Sequence, residues 1–345
     1  MTTEELAAAA PAAVSPTTAP VLQVEHLRVV FRQKERDTYA VNDVSISVDH
    51  GRTLAIIGES GSGKSAMSRA VMGLLPQTAT ISGSVRLLGE EILGLPDNEL
   101  RRRRGKDMAM IFQDPTRSLN PTMKIGIQIA ENIRIHDRDV SRKQARERAV
   151  ELLHLVRVPA PEQRVEEYPH QLSGGMRQRV MIAIALACQP KLLIADEATT
   201  ALDVTTQAQV MDLLLELQQQ FGMSMILISH DMGIAATYAD DVAVMYAGDV
   251  VERAPVDELF GQVRMPYTRM LLDAVPRLDR PSHSLIPVAP SRPPDLSAAA
   301  TSCRFAARCG RVQDDCWLTH PSLEEHDDEH AWACYHPIPH ERTPA

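Results

Sequence analysis

Aromatic side chains are scarce, at 4% of 345 residues. Proteins that read single-stranded nucleic acid stack bases on such rings, so that class is disfavoured. An excess of positive charge is missing too. The formal net charge is −9, whereas a general binder of phosphate backbones needs a basic face. The one strong basic block, Arg101 to Arg104, is expected to be solvated surface. No apolar run approaches the roughly 18 residues of a membrane helix; the longest, Val180 to Cys188, is about half that length. The N-terminus lacks the basic start and apolar core of a secretory signal. The chain is therefore expected neither to span a membrane nor to be exported by itself. There is no internal repeat. Cysteine is confined to five positions, four of them between Cys303 and Cys334. In a cytosolic protein such a cluster suggests metal before disulfides.

The length suffices for one large domain or two ordinary ones, and 44% hydrophobic with 23% charged residues reads as soluble and globular. Residues 1–20, rich in Ala, Pro and Thr, read as a disordered tail. Leu22–Phe31 and Tyr39–Val48 alternate partly and carry β-branched residues, as strands of a hairpin-like sheet do. "TLAIIG", "MAMIFQ", "KLLIADE" and "MSMILISH" are short apolar runs that end in glycine or polar residues. Helical patterns lie between them: "SAMSRAVMGLLP", stopped by Pro76; Ser141–Val158, opened by an S-x-x-Q capping pattern at Ser141 and Gln144; and "TTQAQVMDLLLELQQQFG". This alternation predicts a parallel α/β sheet with its ligand at the C-terminal strand ends. Five prolines in residues 281–294 predict a linker or extended arm before the cysteines.

The octapeptide "GESGSGKS" (58–65) fits G-x-x-x-x-G-K-[ST]. Its glycines Gly58, Gly61 and Gly63 allow the backbone to curl so that N–H groups face phosphate oxygens. A helix N-terminus adds unpaired donors and a favourable dipole. Lys64 is expected to reach the β and γ phosphates and Ser65 to bind Mg²⁺. At the end of "LLIADE", Asp196 is the candidate Mg²⁺ residue, and Glu197 the candidate base that orients and deprotonates the attacking water. About twenty residues upstream of Asp196, Leu172, Ser173, Gly174, Gly175 and Met176 open a further helical run, where exposed N–H groups would face an anion.

With "LSGGMRQR" in place, the chain resembles an ATP-binding cassette (ABC) ATPase over about residues 22–262. The resemblance implies an α/β P-loop NTPase fold of RecA-like type. It further implies an antiparallel β subdomain and a helical subdomain at about 114–175, within a nucleotide-binding domain of residues 21–262. Residues 263–345 then form a small cysteine-containing C-terminal extension. The cofactors implied are ATP and Mg²⁺. Gly58, Glu59, Ser60, Gly61, Ser62, Gly63, Lys64, Ser65 and Ala66 would hold ATP, with Tyr39 against adenine. Ser65, Gln113 and Asp196 would hold Mg²⁺. Glu197, His230 and Gln113 would be catalytic, with His230 contacting the γ-phosphate and Gln113 also contacting a transmembrane partner. Leu172 to Met176 would cap the ATP of a second cassette, and Asp203 would lie in a loop crossing the dimer interface. One departure is Ala198, where most cassettes have proline; little effect on chemistry is expected, since Asp196 and Glu197 remain.

Three features resemble the ATPase subunits of dipeptide and oligopeptide importers, a group that includes nickel-importer relatives. They are "IFQDPTRSLNP" (111–121), "PYTRMLLDAVPRLD" (266–279) and "CRFAARC" with the later Cys316 and Cys334. The implied assembly has a second ATPase subunit (a paralogue by preference), two transmembrane permeases and an external solute-binding protein. This chain would sit at the cytoplasmic face of the inner membrane. Its implied function is ATP-driven peptide uptake, with a nickel or other small-solute importer, or a soluble ABC ATPase acting on nucleic acid, as alternatives. The four thiols of Cys303, Cys309, Cys316 and Cys334 can hold a 4Fe–4S cluster or Zn²⁺, with no metal as a third reading; their spacing C-x5-C-x6-C-x17-C is neither a zinc-ribbon pair of C-x2-C units nor a bacterial ferredoxin run. The resemblance favours iron–sulfur, while His320, His326, His330 and His336 keep mixed Cys/His zinc ligation open. The group would act as a staple, or as a redox module regulating the ATPase, because the segment is too short and polar to build much core alone. Cys188 is expected in the core.

Overall fold

The structure, a computed structural model, describes residues 19–32, 36–199, 203–275, 294–327 and 329–339. Most of the expected tail, most of the proline-rich arm and residues 276–279 lie outside these. In chain order the strands are β1 (Leu22–Phe31), β2 (Thr38–Val48), β3 (Thr53–Ile57), β4 (Ala79–Leu87), β5 (Glu90–Glu91), β6 (Met108–Ile111), β7 (Leu192–Asp196), β8 (Ser224–Ser229), β9 (Asp241–Tyr246), β10 (Asp249–Pro255), β11 (Glu324–Asp327) and β12 (His330–Trp332). The helices are α1 (Lys64–Val71), α2 (Asp97–Arg103), α3 (Pro115–Ser118), α4 (Ile125–His136), α5 (Arg142–Leu155), α6 (Pro161–Arg164), α7 (Gly174–Leu186), α8 (Val204–Phe221), α9 (Met232–Tyr238), α10 (Val256–Gly261) and α11 (Pro266–Asp273).

Two sheets organise the chain. The first is antiparallel, in the order β2-β1-β4-β5. β1 buries alternate residues such as Leu22, Val24, Leu27 and Val29, as a strand covered on one face does. The second sheet runs β11-β12-β10-β9-β3-β8-β7-β6. Its strands β9, β3, β8, β7 and β6 pair in parallel. Every residue of β3, β6, β7 and β8 is buried, because helices or the first sheet cover both faces. That double burial is why these strands read as unbroken apolar runs.

Helices α3–α7 fill the stretch between β6 and β7. α5 opens with the expected capping box, with Gln144 N–H donating to the Ser141 hydroxyl. Ala145, Ala149, Leu152 and Leu153 form its buried stripe. Asp203 caps α8 by accepting from Thr206 N–H, and Gly222 ends that helix in the left-handed region at φ 58°. Cys188 is half-buried against the same core.

Two expectations are corrected. Arg104 is not solvated surface: its guanidinium donates to the Met72 and Gly73 carbonyls at 2.8 and 2.7 Å, satisfying acceptors at the end of α1. The C-terminal extension, expected to build little core alone, packs into the main domain through its own residues. β12 pairs antiparallel with β10, so the extension lengthens the main sheet. Tyr267 and Phe305 pack with Tyr246 of β9 in one aromatic cluster, ring centroids 4.5–5.4 Å apart. His330 reaches Glu252 at 3.0 Å inside the same joint.

Candidate functional site

β3, β6, β7 and β8 are parallel neighbours, so their C-terminal ends share one edge of the sheet. The residues that follow them meet there: Gly58 after β3, Gln113 after β6, Glu197 after β7 and His230 after β8. Gln113 Nε2 donates to Glu197 Oε2 at 2.5 Å. His230 Nδ1 lies 3.9 Å from Glu197 Oε1. Glu197 itself adopts φ 49°, in the left-handed region that costs a non-glycine residue energy, and its N–H donates to the Ile228 carbonyl. The edge therefore aims a carboxylate from a strained backbone position between an amide and an imidazole.

The glycine loop from Gly58 to Gly63 turns into α1, which begins at Lys64. Glycine is required at two of its positions. A Cβ on Gly58 would lie 2.2 Å from the Met245 carbonyl oxygen. Gly63 has φ 105°, and a Cβ there would lie 2.3 Å from the Ala40 carbonyl oxygen. The ammonium of Lys64 donates to the Gly58 and Glu59 carbonyls at 2.7 and 2.9 Å and to Ser62 Oγ at 3.3 Å. Burial pushes its pKa down against the opposing pull of the Glu197, Asp196 and Glu59 carboxylates. A cation folded into a loop of carbonyls, with anions nearby, is ready to serve an incoming polyanion.

Ser65 Oγ donates to Asp196 Oδ1 at 2.9 Å. Asp196 is almost fully buried, and that burial raises its carboxyl pKa even against the Ser65 hydrogen bond and the nearby cations. A buried carboxylate beside a hydroxyl oxygen, short of compensating charge, fits a hard divalent cation such as Mg²⁺. Ser60, Gly61 and Ser62 line a small recess with Pro294 and Leu296. Tyr39 lies on β2, and its N–H donates to the Leu296 carbonyl. Ala66 follows in the first turn of α1.

Other expected residues stand apart from this group. Ser173 caps α7 by accepting from Met176 N–H, and Gly174 is open to space. Leu172 is buried, whereas Met176 is half-buried. Among the described residues no hydrogen bond joins Leu172–Met176 to the glycine loop. Asp203 is exposed, and its interactions with Thr206 hold its carboxyl below the usual range.

The four C-terminal cysteines line one small pocket together with Met265 and Phe305. All are free thiols. The Cys303 N–H donates to the Cys316 carbonyl, tying two of the cysteine positions together. Burial, reinforced by the other thiols, pushes up Cys303 and Cys309, and Cys334 to about 11. A soft metal group would relieve that by taking the thiolates, so the donor set fits one. Of the four histidines considered as partners, only His336 falls beside a cysteine: Asp315, Cys316 and His336 place ligand atoms within 4.8 Å of one another. His320 is engaged with Asp249, His330 with Glu252, and His326 stacks on Trp332.

Two interactions escaped the sequence. Tyr267 OH accepts from Glu59 N–H at 2.9 Å, and Arg308 donates both terminal nitrogens to the Glu59 carboxylate. Tyr267 and Arg308 fall inside the stretches 266–279 and 303–309 that carry the resemblance, but nothing in those stretches points to Glu59, which lies more than 200 residues away in the chain.

A glycine loop after one parallel strand, an Asp-Glu pair after another and a helix opened by Ser-Gly-Gly define the class of P-loop cassette ATPases. Comparison with known proteins sharpens this. Residues 41–200 match the family described as ABC transporter, and residues 251–316 the family described as oligopeptide/dipeptide transporter, C-terminal region. The chain is 46% identical over 318 residues to the oligopeptide transport ATP-binding protein OppD of Escherichia coli, covering 92% of this chain and 94% of that protein. With AppD of Bacillus subtilis, another oligopeptide transport ATP-binding protein, it shares 46% over 318 residues, covering 91% and 96%. OppD of Mycobacterium tuberculosis is 49% identical over 315 residues; the match takes in 91% of this chain but spans only about half (52%) of that longer relative. Among solved structures, the ATP-binding cassette MJ0796, as a dimer in a post-hydrolysis state bound to ADP and Pi, superposes with a TM-score of 0.62 at 28% identity, covering 68% of this chain and 98% of that one. The chain belongs to the ABC family, in its branch of oligopeptide transport ATP-binding proteins.

Proposed function

We propose that this protein is the ATP-hydrolysing subunit of a peptide importer. The observation that carries the reading is the convergence of Lys64, the Ser65–Asp196 pair and the Gln113–Glu197–His230 group at one sheet edge, in a chain of this family. Gly58, Glu59, Ser60, Gly61, Ser62, Gly63, Lys64, Ser65 and Ala66 receive the phosphates of ATP through loop N–H groups, and Tyr39 packs on the adenine. Lys64 exchanges its carbonyl partners for phosphate oxygens. Ser65, Asp196 and Gln113 hold Mg²⁺, which neutralises charge on the phosphates when bound. Glu197 orients the attacking water and accepts its proton, while His230 donates to the γ-phosphate. Leu172 to Met176 of a second cassette, a paralogue by preference, close over the same ATP, and Asp203 lies at that junction. ATP binds the closed pair better than the open one, and this difference does the work on the partner chains.

No helix among the described residues is long and apolar enough to cross a membrane; in this reading two separate permease subunits form the pore, as the family implies. The half-exposed Phe112 beside Gln113, in a cleft shared with Leu119, Met181 and Ile184, offers them an apolar foothold. The chain then sits at the cytoplasmic face of the inner membrane, and an external solute-binding protein delivers the peptide. Cys303, Cys309, Cys316 and Cys334 hold a 4Fe–4S cluster, which links four separated points of the chain. Anaerobically purified protein should contain iron and acid-labile sulfide; one zinc in their place would assign the site to Zn²⁺. The function itself is tested with proteoliposomes carrying this chain and its co-expressed membrane subunits. ATP-dependent accumulation of a labelled oligopeptide is expected. Accumulation of a metal ion instead, with ATP turnover indifferent to peptides, would overturn the peptide reading.

A further inference from the structure

The phosphate loop carries a carboxylate of its own. Glu59 follows Gly58, on a loop built to receive a polyanion, and a negative charge there opposes phosphate binding. The structure supplies its counter-charge from the far end of the chain. Arg308 Nη1 and Nη2 donate to Glu59 Oε2 and Oε1, each at 2.7 Å, in a two-pronged ion pair. The Arg308 side chain is 6% exposed and that of Glu59 35%. Nη1 also donates to Tyr246 OH at 3.2 Å, and the guanidinium stands over the Tyr246 and Phe305 rings. Tyr267, fully buried, fixes the same loop residue by accepting its N–H. Thus the charge of Glu59 is met by one C-terminal side chain and its backbone by another.

The segment that presents Arg308 is tightly constrained. Arg308 ends a 3₁₀ turn, Ala306–Arg308, and is followed at once by Cys309. Ala306 N–H donates to the Cys303 carbonyl and Cys309 N–H to the Ala306 carbonyl, so the turn is strung between two of the four clustered cysteines. A second clasp lies alongside. Arg304 and His320 approach Asp249 at 3.5 and 3.1 Å, and Asn42 donates to the same carboxylate. The adjacent Gly248 donates its N–H to the Ser62 carbonyl in the glycine loop.

We infer that Arg308 is a positioning residue for nucleotide binding: it neutralises and holds Glu59, so that the cysteine-bearing extension sets the charge and shape of the phosphate loop. This rests on the ATPase reading above. Arg308 acts through Glu59 and needs no contact with nucleotide. Its effect therefore falls on affinity more than on the chemical step.

The test is a double-substitution cycle in the full-length protein, read by ATP affinity with a fluorescent ATP analogue and by the split of KM against kcat. Arg308→Met leaves the Glu59 carboxylate uncompensated beside the phosphates and should weaken affinity roughly tenfold or more, with kcat changed by less than about threefold. Glu59→Gln alone should change affinity by less than about threefold, since the carboxylate it removes is already neutralised by Arg308. In the Glu59→Gln background, Arg308→Met should cost less than about threefold, because the charge it answered is gone. A purely structural role for Arg308 predicts the same loss in both backgrounds, and that result overturns the inference, as does wild-type affinity in Arg308→Met. If Arg308→Met does not fold, Arg308→Lys retains a cation without the fork. It should weaken affinity by a few-fold, suppressed by Glu59→Gln; an unchanged affinity overturns the proposal. A wild-type chain that binds no ATP would instead fail the ATPase reading, and a chain that binds ATP indifferently to Arg308 would fail this inference alone.

Discussion

The joint between the C-terminal extension and the main sheet can be tested at His330. Its side chain is 3% exposed, and that of Glu252 is not exposed at all. Glu252 Oε1 meets His330 Nε2 at 3.0 Å and accepts from the Arg264 backbone N–H at 2.6 Å, whereas Oε2 has no hydrogen-bond partner among the described residues. His330→Leu therefore strands a buried carboxylate on one remaining donor. Breaking such a pair costs about 3–5 kcal/mol. The retained Arg264 bond puts the expected loss near the lower limit, about 3 kcal/mol. Glu252→Leu removes the charge but orphans the Arg264 N–H and the imidazole, at about 1–2 kcal/mol each. The double substitution replaces the pair with apolar volume and orphans only the Arg264 N–H, so about 1–2 kcal/mol of loss remains, well below the sum of the singles. Equilibrium urea unfolding followed by tryptophan fluorescence measures this, and Trp332, edge-on to the His330 ring at 5.2 Å, reports from the joint. A loss under about 1 kcal/mol in His330→Leu, or a double variant as weak as the singles added together, would refute the reasoning.

Asp196→Asn should stabilise the nucleotide-free protein at neutral pH. Burial raises the folded-state pKa of this carboxyl, so its favourable contribution is complete below the unfolded pKa and lost as pH rises through the folded one. The urea midpoint of the variant should exceed that of wild type at pH 7, and the two should converge in acid below the ordinary Asp range. The same variant should bind Mg²⁺–ATP poorly, which trades stability against function. Gly63→Ala forces a Cβ to 2.3 Å from the Ala40 carbonyl at φ 105° and should cost about 3 kcal/mol or more in unfolding free energy, together with ATP affinity. Glu197→Gln keeps the Gln113 and His230 neighbours but removes the base. Turnover should fall at least a hundredfold by phosphate release, while ATP still binds; near-normal hydrolysis would remove Glu197 from its assigned role.

By itself the sequence determined β1, β2, β3, β6, β7 and β8, the glycine loop and the starts of α1, α5 and α7, because these depend on neighbours in the chain. Residues of β3, β6, β7 and β8 are buried on both faces and so read as apolar runs. The caps at Ser141, Ser173 and Asp203 act over three residues. Gly61 and Gly63 are legible because a positive φ leaves few other residues possible, and Gly58 because the Met245 carbonyl leaves no room for a Cβ. Tertiary structure alone decided what the C-terminal extension does. β12 is only three residues long, too short to announce itself by pattern, and it exists because β10 offers it an edge. Arg308 and Tyr267 gained their roles when folding carried them to Glu59 from 249 and 208 residues away. Arg104 likewise reads as one charge in a run until the fold places the end of α1 beside it. Local geometry is written in local sequence, but a long-range charge pair needs only one residue at each end. Its meaning appears only when the sheet has brought those ends together.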